Sequence, residues 1–313
     1  MPPDVVRRFI LEGEPVRGHF VRVQDAWGAL REHRDYPAPV RNLLGEAVSA
    51  SVLLAAAVKF RGTLSVQLSG NGAVPLLVSQ CTDDFRVRAL ARMDGGRLSQ
   101  APPAGDAGMF RQLVGTESRL AVTVESAERD VGYQGIVRLA GGSLAECLEE
   151  YFASSEQVPT RVRLAADEHH AAGLLVQRLP GKPASPQDIE ALSGPQNAGV
   201  LSAWRDAEEG IGGIARRELL QAPLDDLLAR HFGRRDLRLF SGSPVRFECR
   251  CDAARVTQVL RSLGAAEVRD VLAEQGSVTV TCDFCSRPYR FDAVDVEQLL
   301  AAGATAEAPR SVQ

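Results

Sequence analysis

Apolar and polar positions alternate along this chain in two rhythms. Val5-Val6-Arg7-Arg8-Phe9-Ile10-Leu11 reads as a strand and leads into the turn-rich Glu12-Gly13-Glu14-Pro15. Val16-Arg17-Gly18-His19-Phe20-Val21-Arg22-Val23 follows, and its apolar–polar alternation predicts a second, half-buried strand. Beyond Pro37 and Pro39 the period lengthens. Leu43, Leu44, Ala47, Val48, Leu53, Leu54 and Val58 recur at helical spacing over about 40–60. Small residues occupy most of its faces, which predicts a helix buried deep in a domain.

The period then returns to two. Strands are expected at 63–68, 74–79 and 85–91, the first two joined by Gly70-Asn71-Gly72. A loop around Gly95-Gly96 and Pro102-Pro103 precedes a short helix near 108–114 and strands at 119–126 and 134–139. Ser143-Leu144-Ala145-Glu146 is a capping box, opening a helix to about Phe152 with Cys147, Leu148 and Tyr151 on its buried stripe. Strands at 160–166 and 173–179 complete the series. Runs of strands interrupted by single helices predict an α+β fold with largely antiparallel pairing around the buried helix.

Composition shifts at Pro180-Gly181-Lys182-Pro183-Ala184-Ser185-Pro186, which divides the chain. Residues 1–180 form the expected N-terminal α+β core domain, and 181–240 a metastable helical linker with short patterns at 197–209, 215–221 and 223–232. Helices this short are marginal in water and depend on what they pack against. Residues 241–300 form a small C-terminal domain with helices at 253–263 and 267–274, a turn at Gly276, and strands at 277–281 and 289–291. Residues 301–313 read as a disordered tail.

Charge adds mainly exclusions. At 313 residues and a net charge of −4, nothing in the bulk electrostatics favours nucleic acid or an anionic membrane. The first residues lack the pattern of a secretory signal, and the apolar run from Ala47 to Val58 is too short to span a bilayer. The expectation is a cytoplasmic protein with reduced thiols and no membrane partner.

Against that background the cysteines change the picture. Four of the six form Cys249-Arg250-Cys251 and, thirty residues later, Cys282-Asp283-Phe284-Cys285. Two chelating pairs of soft anionic ligands suit one tetrahedral zinc ion per chain. A domain of this size has a core worth roughly 3–5 kcal/mol, whereas structural zinc contributes on the order of 10–16 kcal/mol. The domain is therefore expected to be folded with zinc and unfolded without it. Every ligand is also oxidisable, and Arg246, Arg250, Arg287 and Arg290 lie close in sequence to favour thiolate. A purely structural zinc and a redox switch both remain open at this point.

Other candidates carry less. Cys81 and Cys147 read as packing thiols, His169-His170 as solvated loop residues, and His231 as surplus to a complete four-thiolate shell. Gly181-Lys182-Pro183 lacks the remainder of a phosphate-binding loop, and neither a Ser-His-Asp spacing nor H-E-x-x-H occurs, so no enzyme is expected. A zinc ribbon binding nucleic acid or a protein partner is the alternative. Its charge is unfavourable for phosphate, since seven arginines stand against nine acidic residues between 245 and 297. A thiol–disulfide oxidoreductase using Cys282 and Cys285 would need a thioredoxin-like βαβ context that the pattern lacks.

The run Phe247-Glu248-Cys249-Arg250-Cys251, then Leu272-Ala273-Glu274-Gln275-Gly276, then Cys282-Asp283-Phe284-Cys285-Ser286-Arg287-Pro288-Tyr289-Arg290-Phe291 resembles the zinc domain of the Hsp33 family of redox-regulated bacterial chaperones. Gly132-Tyr133-Gln134-Gly135, Tyr151-Phe152-Ala153-Ser154-Ser155-Glu156-Gln157 and Leu174-Leu175-Val176-Gln177 extend the likeness upstream. The resemblance implies an ATP-independent holdase, inactive while reduced and zinc-bound. It further implies that oxidation pairs Cys249 with Cys251 and Cys282 with Cys285, releases zinc and unfolds the linker. The oxidised protein would hold unfolding clients, commonly as a homodimer.

Overall fold

The computed structural model describes residues 4–99, 106–126, 132–139, 141–179 and 195–304. The chain divides into two units, Met1–Glu248 and Cys249–Gln313. The first runs β1 (Val5–Leu11), β2 (Val16–Val23), α1 (Asp25–Arg31), α2 (Ala38–Ala57), β3 (Gly62–Ser69), β4 (Leu76–Thr82), β5 (Arg86–Arg92), α3 (Gly95–Ser99) and α4 (Asp106–Val114). It continues through β6 (Arg119–Ser126), β7 (Tyr133–Arg138), α5 (Leu144–Tyr151), a π-helical turn Phe152–Glu156, β8 (Thr160–Ala166) and β9 (Ala171–Arg178). Next come α6 (Pro195–Gly212), α7 (Arg216–Gln221), α8 (Leu224–Phe232) and three very short strands, β10 (Leu237–Leu239), β11 (Ser243–Pro244) and β12 (Arg246–Phe247).

Two sheets sandwich α2. One has the order β10-β1-β2-β9-β8 with β11 also on β1, and the other the order β12-β5-β4-β3-β6-β7. Every pairing is antiparallel except that of β12 with β5. Helix α2 packs against strands of both sheets, which is why it carries small residues on nearly all faces. It begins earlier than the apolar run Ala47–Val58 and is, at 20 residues, long and apolar enough to cross a membrane. Its most apolar window is 72% buried in protein, which marks it as a core helix.

The second sheet keeps the expected alternation. Leu64, Val66, Leu77, Val87 and Val122 face the shared core with α2, while Ser65, Gln80 and Arg88 form a hydrogen-bonded row across β3, β4 and β5. The first sheet departs from it. Val21 and Val23 of β2 join the α2 core, but Val16 and Phe20 join a second core with Trp204, Ile211, Leu219, Leu227 and Phe232. Thus β2 is buried on both faces rather than one, because α6, α7 and α8 lie over the side that the sequence pattern left to solvent.

Those helices fall within the stretch read as a linker, and they are held by more than apolar contact. Arg22 Nη2 donates to Leu219 O and Ala222 O at 2.7 Å each. Arg163 donates to Ile211 O at 3.2 Å and Gly212 O at 2.7 Å. Both arginines thereby satisfy carbonyls at helix C-termini that have no partner within the helix. The proline-rich boundary 180–186, the Pro102-Pro103 loop and the tail beyond 304 lie outside the described residues.

The second unit contains α9 (Ala253–Leu263), α10 (Ala265–Gln275), the hairpin β13 (Val278–Thr281) and β14 (Pro288–Phe291), and α11 (Ala293–Ala304). Helix α11 was not expected. It contributes Val296 and Leu299 to a core otherwise made of Val256, Leu260, Val268 and Val278. That core is slender, as the length of the unit requires.

Candidate metal centre

Two local structures present the thiols. Asp252 caps α9, its Oδ1 accepting from Arg255 N at 2.8 Å, and this fixes the chain direction just after Cys251. On the other side β13 and β14 form a hairpin with Thr281 opposite Pro288. Within its loop Cys282 N donates to Arg287 O at 2.9 Å, and Ser286 N donates to Cys282 O at 2.8 Å. Ser286 takes a left-handed conformation at φ 52°, which lets the chain reverse immediately after Cys285. Gly276, at φ 72°, ends α10 just before the hairpin, as the sequence predicts.

The sulfurs of Cys249, Cys251, Cys282 and Cys285 all lie within 4.8 Å of one another. The contacts between the loops include Cys249 to Cys282 at 3.6 Å and Cys251 to Cys285 at 3.4 Å. All are free thiols. Cys285 is buried and the other three are half-buried.

Burial pushes the Cys249 thiol up to about 12 and raises that of Cys285. At Cys251 burial acts in the same direction, but hydrogen bonds from Tyr289 and with the neighbouring thiols outweigh it and bring the group to about 7. Tyr289 Oη donates to Cys251 Sγ at 3.1 Å. The Arg287 guanidinium is held above its usual value by Tyr289 and by the charges of Cys251 and Cys285. Four crowded, partly desolvated thiols resist ionising together unless a cation sits among them. This donor set fits a soft divalent ion that four thiolates surround.

The pattern had located the four cysteines but not the hydroxyl beside them. The sequence places Tyr289 only on a strand, and it is the pairing of β14 with β13 in the hairpin that accompanies the approach of its hydroxyl to Cys251. Of the arginines singled out, Arg287 faces the thiols, Arg290 donates to Ser277 Oγ at 3.2 Å, and Arg246 belongs to β12 of the first unit. The Cys282–Cys285 loop joins two antiparallel strands and does not open a helix, so it lacks the setting of a thioredoxin-type redox pair.

The remaining candidates are placed elsewhere. Cys81 and Cys147 are buried, with thiols raised by desolvation, to about 11 at Cys147. His169 and His170 sit in a turn whose amides donate to Asp167 Oδ1 at 2.8 and 2.7 Å. His231 pairs with Glu218 at 3.0 Å. Trp204 is buried in the core beneath α6.

An α+β unit followed by a smaller one with a four-thiol centre defines a class of candidate metal-binding proteins. The profile of the family described as Hsp33 protein matches residues 4–292. The 33 kDa chaperonin of Nitrosococcus oceani is 38% identical over 300 residues, covering 95% of this chain and 94% of the relative. That of Pseudomonas aeruginosa is 38% identical over 307 residues, covering 98% and 97%. The crystal structure of the 33 kDa chaperonin (heat shock protein 33 homolog) from Thermotoga maritima superposes with a TM-score of 0.80. At 22% identity, with coverage of 97% of this chain and 99% of that one, it supports the fold. The chain belongs to the Hsp33 family, a family of chaperones rather than enzymes.

Proposed function

We propose that this protein is a redox-regulated, ATP-independent holdase of the cytoplasm. The observation that carries the reading is the grouping of four oxidisable thiols within 4.8 Å in a unit with a slender core. In the reduced state Cys249, Cys251, Cys282 and Cys285 hold one zinc ion, which supplies the cross-link that the core is too small to replace. A thiolate attacks peroxide, leaving a sulfenic acid and hydroxide, and a second thiolate displaces hydroxide to form a disulfide. Two peroxides thus turn four thiolates into two disulfides and four hydroxides. No anionic ligand is left.

The pairs proposed are Cys249 with Cys251 and Cys282 with Cys285, as the family resemblance implies. The second unit then loses its structure, and the described helices of 195–232 follow. The opened protein, as a homodimer, holds unfolding clients. Zinc content, free thiols and suppression of aggregation of a heat-unfolded client are to be measured together, before and after peroxide at mild heat. Loss of one zinc and four thiols with protection gained, without ATP, is expected. Equal protection by the reduced protein would overturn the reading. Peptide mapping of the oxidised protein tests the pairing, and cross-loop bonds would refute it.

A further inference from the structure

The segment 236–248 closes the same side of both sheets. Its strands β10 and β11 pair antiparallel with β1, and β12 pairs parallel with β5, so this strap supplies the end strand of each sheet. The last residue of the strap, Glu248, is joined directly to Cys249.

The hold is made of short pieces. Phe240 N donates to Arg8 O at 2.9 Å and Val245 N to Asp4 O at 3.2 Å. On the second sheet Arg246 N donates to Phe85 O at 3.0 Å, and Glu248 N to Val87 O at 3.1 Å. Side chains add an aromatic on each sheet. Arg8 lies over the Phe240 ring at 4.4 Å, and Phe247 packs on the α2 core with its ring 5.7 Å from that of His33. Glu248 pairs with Arg86 at 2.8 Å. Strands of two and three residues are weak on their own, and an edge that loses its end strand offers a row of unpaired amides and carbonyls.

Resting on the proposed function, we infer that the strap occupies the client site: release of 236–248 bares the edges of β1 and β5, which then bind extended segments of unfolding proteins by strand addition. The strap itself defines the occupant. It is extended, carries one aromatic per sheet, and places an acidic residue against Arg86. β1 carries Arg7 and Arg8 along its edge, and on β5 Arg86 reaches Glu248 while also pairing with Asp84 at 2.7 Å. The partner is accordingly an extended chain pairing an aromatic with an acid, recognised through its backbone.

Gly242 gives a way to lift the strap without touching a thiol. A Cβ there would stand 2.3 Å from Val5 Cγ2 and 3.0 Å from Arg7 Cγ. Full-length Gly242→Val, reduced and zinc-loaded, is compared with the parent for hydrogen exchange on β1 and β5 and for binding of reduced, carboxymethylated lactalbumin. Faster exchange at both edges, binding tightened about tenfold or more and retained zinc are expected. A peptide of residues 242–248 should compete, and the same peptide N-methylated at Arg246 and Glu248 should not. Bared edges without tighter binding, or equal competition by both peptides, would overturn the inference.

Oxidised parent protein provides the second arm should the variant not fold. If it holds lactalbumin while the edges of β1 and β5 stay as protected as in the reduced form, the strap is not the gate and the holdase reading stands. If it holds nothing, the holdase reading falls. Binding by the reduced variant would then carry the edge site alone, and its absence would end that too.

Discussion

Tyr289 Oη donates a hydrogen bond to Cys251 Sγ across 3.1 Å, tying β14 to the first thiol pair. A donor of this kind orients a ligand and disperses its charge. Tyr289→Phe should fold as the parent does but bind zinc more weakly, by about tenfold. Competition with a chromophoric chelator measures it. An unchanged affinity would show that the hydroxyl does nothing for the metal.

Metal removal should unfold the second unit. Under reducing conditions a chelator is expected to abolish amide protection over 253–304 while leaving β3, β4 and β5 protected. The zinc term, on the order of 10–16 kcal/mol, exceeds anything so small a core supplies. Hydrogen exchange resolved by segment reads the outcome. A second unit that stays protected without metal would leave oxidation nothing to unfold.

Arg22 clamps the end of α7 through two bonds of 2.7 Å. Arg22→Met deprives Leu219 O and Ala222 O of their donor and should loosen α7 and α8 by about 2–4 kcal/mol. Local exchange over 216–232 should rise, and the reduced protein should show partial holdase activity. Faster exchange with no gain in activity would separate these helices from the switch.

His19 on β2 is buried, and its imidazole is pushed down to about 4 first by desolvation and then by Arg17 and Arg8. Its unfolded value is near 6.5, so the neutral ring's contribution is complete above that pH and is lost as pH falls toward 4. Relative to His19→Gln, the parent should lose about 2 kcal/mol of stability between pH 7 and pH 5. Denaturant unfolding at both values tests it, and parallel pH profiles would contradict it.

Much of the fold was legible because its signals are local. β1 and β2 fall where the pattern put them, Ser143 caps α5 by accepting from Glu146 N, and Gly264 and Gly276 break the helices of the second unit. The short strands β10, β11 and β12 were not legible. Two or three residues carry no period, and their partners lie more than 150 residues upstream. Helix α11 was hidden for a different reason: its apolar face acquires meaning only beside α9 and α10.

By itself the sequence determined the candidate donor set, because only cysteine supplies thiolate and each pair, Cys249 with Cys251 and Cys282 with Cys285, is written at chelating spacing. It also determined the burial of α2, since small residues on nearly all faces suit a helix covered on most sides. Tertiary structure decided what covers β2, which hydroxyl meets Cys251, and that 236–248 supplies the end strands of both sheets. Those are contacts between residues remote along the chain, fixed by complementary surfaces that exist only once both partners have folded.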